Sequence, residues 1–220
     1  MYKRQDNNIE VYPKDTRSDP DMTLRSAQEF EKMGISLVIG PVFHKNLLFL
    51  DKVKNITFLS LTNKTLDLHK NIISSGINSS SQLNTIKKFL EKSEIKKTIF
   101  LIPNLNYDLE IKKGIEESKI KFFKQYNYDI DPTKLTKQIE KITNYGIRKQ
   151  NLYDEISRIE NSDDPNKEKI LEKLEKKYTI GNVKFDSVIV ADFDESLKSV
   201  VTSLLYTDVS PKKKYVITLN

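Results

Sequence analysis

The chain has no cysteine and no tryptophan, and only two histidines and six glycines in 220 residues. The missing cysteines exclude disulfides, thiolate metal ligands and cysteine nucleophiles, and they leave the redox compartment unreadable from sequence. His44 and His69 lie in separate segments with no carboxylate at motif spacing, so neither a hydrolytic triad nor a zinc site is indicated. The few glycines build no phosphate-cradling loop, and Gly40-Pro41 is neither a P-loop nor a dinucleotide fingerprint. No apolar run approaches the roughly 18 residues of a membrane span, and no signal peptide precedes the first apolar segment. With no catalytic constellation, the chain is expected not to be an enzyme and to carry no metal or cofactor.

What is present is charge and short apolar runs. The net charge of +6 comes from 37 basic against 31 acidic residues. These charges are interleaved along helices, which reads as solvated helix faces and not as a nucleic-acid surface. A hydrophobic content of 37% over this length supports one large domain or two modest α/β lobes. The most informative segments are Ile35-Ser36-Leu37-Val38-Ile39-Gly40-Pro41 and Ile56-Thr57-Phe58-Leu59-Ser60-Leu61-Thr62-Asn63, two apolar strands that each run into a small or polar loop. Loops at strand ends are where α/β proteins bind ligands.

Reading along the chain, Ile9 to Tyr12 is expected as a short strand. Asp19 or Asp21 would cap a helix carrying Met22, Ala27, Phe30 and Met33 on one face, stopped by Gly34. Leu47, Leu48, Leu50, Asp51 and Val53 predict a second helix, and Ile72, Ile73 and Ile77 an extended segment. Ser80 or Ser81 would cap a helix through Leu83, Ile86, Phe89 and Leu90. Strands are expected at Thr98–Ile102, Ile120–Phe123 and Asp186–Ala191, and from Tyr215 onward. The Thr98 strand ends in Pro103-Asn104-Leu105-Asn106-Tyr107, and the Asp186 strand in Asp192-Phe193-Asp194. Asp131-Pro132 has the form of a cap followed by a first-turn proline.

Between Leu135 and Tyr178, helical spacing persists with one break at Asn161-Ser162-Asp163-Asp164-Pro165. A helical hairpin is the simplest account, with its second arm capped by Asp164 and opened by Pro165. Glu172 and Lys176 would pair one turn apart, contributing about 0.2–0.5 kcal/mol. Packing must therefore hold this hairpin. The alternation of strands and helices predicts an α/β protein with parallel sheets and helices on both faces.

The loops at Asp15-Thr16 and Gly40-Pro41-Val42-Phe43-His44-Lys45, the strand end Leu59–Asn63, and the segments Tyr145–Gln150, Phe185–Val188 and Leu204–Val209 form one set. Together they resemble the type I periplasmic binding protein superfamily, closest to the LpoA-like penicillin-binding-protein activators of its alphaproteobacterial branch. The order and spacing of all of them carry the resemblance. It implies two doubly wound parallel-sheet lobes, truncated at both ends, with a helical hairpin insertion in the second. The implied division is a partial first lobe at 6–77 and a partial second lobe at 78–220, with the insertion at 135–178. Met1-Tyr2-Lys3-Arg4-Gln5 reads as a translated sequencing adapter, a library artefact, and the chain as an internal fragment.

The resemblance also implies a function. The implied partner is a penicillin-binding protein, contacted by an envelope lipoprotein in the periplasm and held at the outer membrane through a lipobox upstream. The other implied role is a solute-binding protein of an ABC transporter, closing its lobes on an amino acid or related small molecule. A third is a ligand-free regulatory domain. The cleft positions that the resemblance assigns are Gly40, Pro41, Phe43, His44, Lys45, Thr62 and Asn63 in the first lobe, and Asn104, Tyr107, Asp192 and Phe193 in the second. Amino-acid binders hold the ligand carboxylate with hydroxyls and backbone N–H groups after the Gly-Pro turn. Phe43-His44-Lys45-Asn46 has no hydroxyl there, which turns the expectation toward protein contact. Asp108 also replaces the glycine that usually follows the tyrosine in that family.

Overall fold

A computed structural model describes residues 9–65, 67–104 and 108–219. Met1–Gln5 and Tyr107 lie outside the described residues. The chain divides into two compact units, Met1–Asn78 and Ser79–Asn220. The first contains α1 (Pro20–Lys32), β1 (Leu37–Ile39), two short 3-10 turns, β2 (Thr57–Ser60) and β3 (Ile72–Ser74). The second contains α2 (Ser79–Lys92), β4 (Thr98–Pro103), α3 (Asp108–Ser118), β5 (Lys124–Tyr128), α4 (Pro132–Thr143), α5 (Tyr145–Glu160), α6 (Lys167–Glu175), β6 (Ser187–Ala191), α7 (Asp194–Tyr206) and β7 (Tyr215–Leu219).

Both sheets are parallel throughout. The first has the order β1-β2-β3, and the second β5-β4-β6-β7. In the first, Val38, Phe58 and Ile72 stand in register and face a core that includes Ala27 and Phe30 of α1. In the second, alternate residues of β4 enter two different cores. Ile99 and Leu101 pack on one face, and Phe100 and Ile102 on the other. This is the period of two expressed in a strand that is covered twice.

The capping expectations at Asp19 and Asp131 are realised. The Asp19 carboxylate accepts from the Met22 N–H at 2.8 Å, and that of Asp131 from the Thr133 N–H at 2.9 Å, each ahead of a proline in the first turn. Four local expectations differ. Residues 9–12 form no strand, because among the described residues no neighbouring strand pairs with them and an isolated extended segment has no ladder to hold it. The segment from Leu47 to Val53 is not an α-helix but two 3-10 turns, His44–Leu47 and Leu50–Lys52. Leu47, Leu50 and Val53 are three apart and all buried, so three residues per turn puts them in line on the core.

The strand expected at Ile120–Phe123 begins later, at Lys124. Ile120 and Phe122 instead fill the core beneath the approach to it, with Phe122 stacked on Phe100 at 4.6 Å. The inward residues of β5 are Tyr126 and Tyr128, two apart. In α6, Asp164 and Pro165 precede the helix. The Asp164 side chain accepts from the Asn166 N–H at 2.8 Å, closing a turn before the helix starts at Lys167.

The hairpin forms from α5 and α6, which share a small core of Leu152, Ile159 and Leu174. Helix α4 belongs instead to the main core through Leu135 and Ile139. The expected Glu172–Lys176 pair is present at 2.6 Å. The hairpin is fastened to its unit by Arg148, which is 6% exposed. Its Nε donates to the Gly181 carbonyl, one Nη to the Thr207 carbonyl at 3.0 Å and the other to the Thr179 hydroxyl at 2.8 Å. The carboxylate of Asp208 lies 3.6 Å away. Burial pulls the Arg148 guanidinium below its usual pKa, against the opposing pull of Asp208. Burial also pushes Asp208 up, but hydrogen bonds from Lys213 and Thr179 outweigh it and hold the carboxyl below its usual range.

Candidate functional site

The carboxyl ends of the parallel strands present the loops that the resemblance singles out, and each unit builds its own set. In the first unit, Gly40 has φ +113°, a conformation that favours glycine, and its N–H donates to the Leu59 carbonyl at 2.8 Å. Ser60 ties the two loops together. Its hydroxyl donates to the Pro41 carbonyl at 2.7 Å and accepts from the Thr62 N–H at 3.2 Å. Thr62 is buried, and its hydroxyl accepts from the Lys64 N–H, a side-chain turn that caps the loop. The Thr62 carbonyl takes a further bond from the Ser74 hydroxyl at 2.7 Å. Gly76 is required by close approach, since a Cβ there would lie 2.3 Å from that carbonyl oxygen.

Gly40, Pro41 and Thr62 are therefore brought together, with Thr62 facing inward and Asn63 exposed. Phe43 is 55% exposed, Val42 is exposed beside it, and Lys45 also faces out, while His44 is half-buried at the start of the first 3-10 turn. Asn46 follows, 3% exposed. Among the described residues its side-chain carbonyl is the buried side-chain polar atom with no hydrogen-bond partner.

In the second unit, Asn104 is exposed at the end of β4, its N–H donating to the Tyr128 carbonyl at 2.9 Å. The Asp192 side chain is built into the scaffold. It is 2% exposed and accepts from the Tyr128 hydroxyl, from the Ser196 hydroxyl at 2.5 Å and from the Phe193 N–H at 2.8 Å. The register sets Tyr128 beside Pro103, and Val190 beside Leu101, so the Tyr128–Asp192 bond crosses the carboxyl end of β4. A carboxylate at the start of α7 is also favoured by the helix dipole. Phe193, half exposed, is the residue of this pair that faces out.

Sequence reasoning did not find Ser60 or Tyr128. Ser60 was visible only as the last polar residue of an apolar strand, and Tyr128 only as one of two tyrosines spaced by two. No group of three histidine, aspartate or glutamate side chains among the described residues could hold a metal ion. Among them, too, no helix is long and apolar enough to cross a membrane.

Two parallel-sheet units with loops gathered at the strands' carboxyl ends make an α/β fold of the periplasmic-binding-protein kind, and solved structures to which this chain is similar in fold include such proteins. The C-terminal domain of LpoA from Haemophilus influenzae, described as a regulator of PBP1A, superposes with a TM-score of 0.54 at 12% identity. The match covers 97% of this chain and 56% of that one. An ABC transporter substrate-binding protein from Desulfitobacterium hafniense gives 0.57 at 12% identity, covering 93% of this chain and 53% of that one. Its complex with Leu gives 0.56 at 12% identity, with 94% and 53% covered. This chain thus spans little more than half the length of these structures. No protein-family model and no curated protein matches the sequence.

Proposed function

We propose that this chain is part of an envelope protein whose two units, as partial lobes of a periplasmic-binding-like domain, act as a scaffold for protein contact. The partner proposed is a peptidoglycan-synthesising penicillin-binding protein. Activation would follow from differential affinity, the scaffold binding the active conformation of the synthase more tightly than the inactive one. The observation that carries this reading is the make-up of the loop after Gly40-Pro41. It offers exposed Val42 and Phe43, where an amino-acid binder needs hydroxyl donors. The nearby Ser60 hydroxyl donates its one proton to the Pro41 carbonyl, and Thr62, whose hydroxyl accepts from the Lys64 N–H, is buried. Exposed apolar side chains on a rigid turn suit a protein surface better than a ligand carboxylate.

The hairpin of α5 and α6 is the proposed partner-facing element. In this reading the protein acts in the periplasm, held at the outer membrane by a lipid anchor; labelling of the full-length protein with a fatty-acid probe tests it. A second reading, an ABC-type binder of an amino acid, is favoured by the unpartnered Asn46 carbonyl, an acceptor to which a ligand ammonium could donate. A thermal-shift screen of the twenty amino acids on the full-length protein separates the two. No stabilisation is expected. A ligand at 100 times its dissociation constant would add about 2.7 kcal/mol, and that result would establish the second reading.

A further inference from the structure

At the opposite end of the second unit's sheet, beside the amino ends of β6 and β7, lies an open pocket of about 670 Å³. Two short basic segments distant in sequence meet there, Lys176-Lys177 after α6 and Lys213-Lys214 before β7. Arg148 lines its inner wall, where three of its N–H groups donate to the Gly181, Thr207 and Thr179 oxygens. Among the described residues Asp208 is the one acidic group lining the pocket. Against it stand four lysines: Lys176 is in an exposed pair with Glu172 at 2.6 Å, Lys214 in a long one with Asp186 at 3.9 Å, Lys213 is bonded to Asp208 itself at 2.8 Å, and Lys177 is exposed beside them. The exposed Lys176 pair is weak and exchanges readily for another carboxylate, and the Lys214 pair is long, whereas Lys213 is held on Asp208 by two bonds. The ring of Tyr178 stands at the rim, 74% exposed.

We infer that this pocket docks an acidic segment of a protein partner, its carboxylates pairing with Lys176, Lys177 and Lys214 and an apolar residue resting on Tyr178. The charge balance selects an anion. The donor type selects among anions: lysines on flexible stems act as point charges and impose no geometry. That suits several carboxylates spread along a peptide rather than one oxyanion held in a fixed cradle. The exposed tyrosine adds the aromatic contact typical of protein interfaces. The choice of a protein partner rests on the scaffold reading, but the pocket is built wholly from residues of the second unit and can be tested without the synthase.

The test titrates hexaglutamate into the isotope-labelled protein at low salt and follows backbone amide resonances. Saturable shifts are expected at 176–182 and 213–215, fading as salt shortens the screening length to about 10 Å near 0.1 M. The double variant Lys177→Glu/Lys214→Glu should weaken binding at least about tenfold, consistent with loss of complementary charge. The same charge change at Lys96→Glu/Lys121→Glu, in a smaller basic groove of the same unit, should leave it unchanged. The milder Lys177→Gln/Lys214→Gln serves if the reversal fails to fold, and the shift map on the unaltered protein needs no variant. Shifts scattered over the surface, or equal loss from the control pair, would overturn the inference. So would tighter binding of pyrophosphate or of an oligonucleotide than of the peptide. Because no synthase enters, failure here leaves the scaffold reading standing, and a negative synthase assay leaves this pocket standing.

Discussion

The two sheets are built from similar apolar runs and end up in different surroundings. In the second unit, β4 and β6 are buried along their whole length, with one core on each face of the sheet. In the first unit, among the described residues, only the face carrying Val38, Phe58 and Ile72 is covered. The other face carries Leu37, then Ile39, Leu59 and Ile73 in register, and there Ile39 is 73% and Leu37 58% exposed. A continuous apolar run is what a strand buried on both faces needs. It does not by itself supply the second layer. The residues that read alike in sequence should therefore differ sharply in what they contribute to stability.

The largest effect is expected at the twice-covered sheet. Leu101→Ala leaves a cavity in a fully buried strand and should cost about 2–5 kcal/mol in urea unfolding. A loss under 1 kcal/mol would mean that this core is less tightly packed than its burial indicates. Next is Gly76→Ala, where the new methyl meets the Thr62 carbonyl and the backbone must shift. About 1–3 kcal/mol should be lost, with amide shift changes confined to the loops around Thr62 and Gly40. An unchanged melting temperature would show that the first unit's loops give way more easily than its sheet.

A smaller effect is expected on acidification of the second unit. Because Asp208 titrates lower in the folded chain than in the unfolded one, its stabilisation is full above the ordinary carboxylate pKa of about 3.9. It is lost as pH falls through the lower folded value. Melting temperatures between pH 6 and pH 2 should therefore fall less steeply in Asp208→Asn than in the parent below about pH 4. Equal slopes would remove Asp208 from the account of acid stability. The smallest effect is expected on the uncovered face: Ile39→Ser should change stability by no more than about 0.5 kcal/mol. A loss like that at Leu101 would show that Ile39 is covered in solution and would end the contrast between the sheets.

Much of this architecture was legible in the chain itself. Gly34 stops α1, Asp19-Pro20 and Asp131-Pro132 open helices, and Ile35–Ile39, Ile56–Leu61 and Asp186–Ala191 all contain strands, because capping and alternation are chemistry between near neighbours. The step from Leu47 to Val53 was not legible, since leucines three apart fit a 3-10 turn as well as a helix until a core fixes which of them must point inward. Candidate positions were legible as loops at strand ends, but not in their use. Asp192 and Thr62 read as groups offered to a ligand. In the structure, Tyr128 and Ser196 occupy the first, and the backbone of Lys64 engages the second.

The sequence by itself determined most of the order of strands and helices, the parallel α/β class and the absence of thiol chemistry, all of which depend on residue type and short spacing. Only the tertiary structure decided which strand faces are covered, which polar groups are spent on the scaffold, and that lysines 36 residues apart, such as Lys177 and Lys213, line one pocket. The reason is physical: periodicity is set by a residue's neighbours in the chain, whereas burial and charge density are set by whatever distant segment packs beside it.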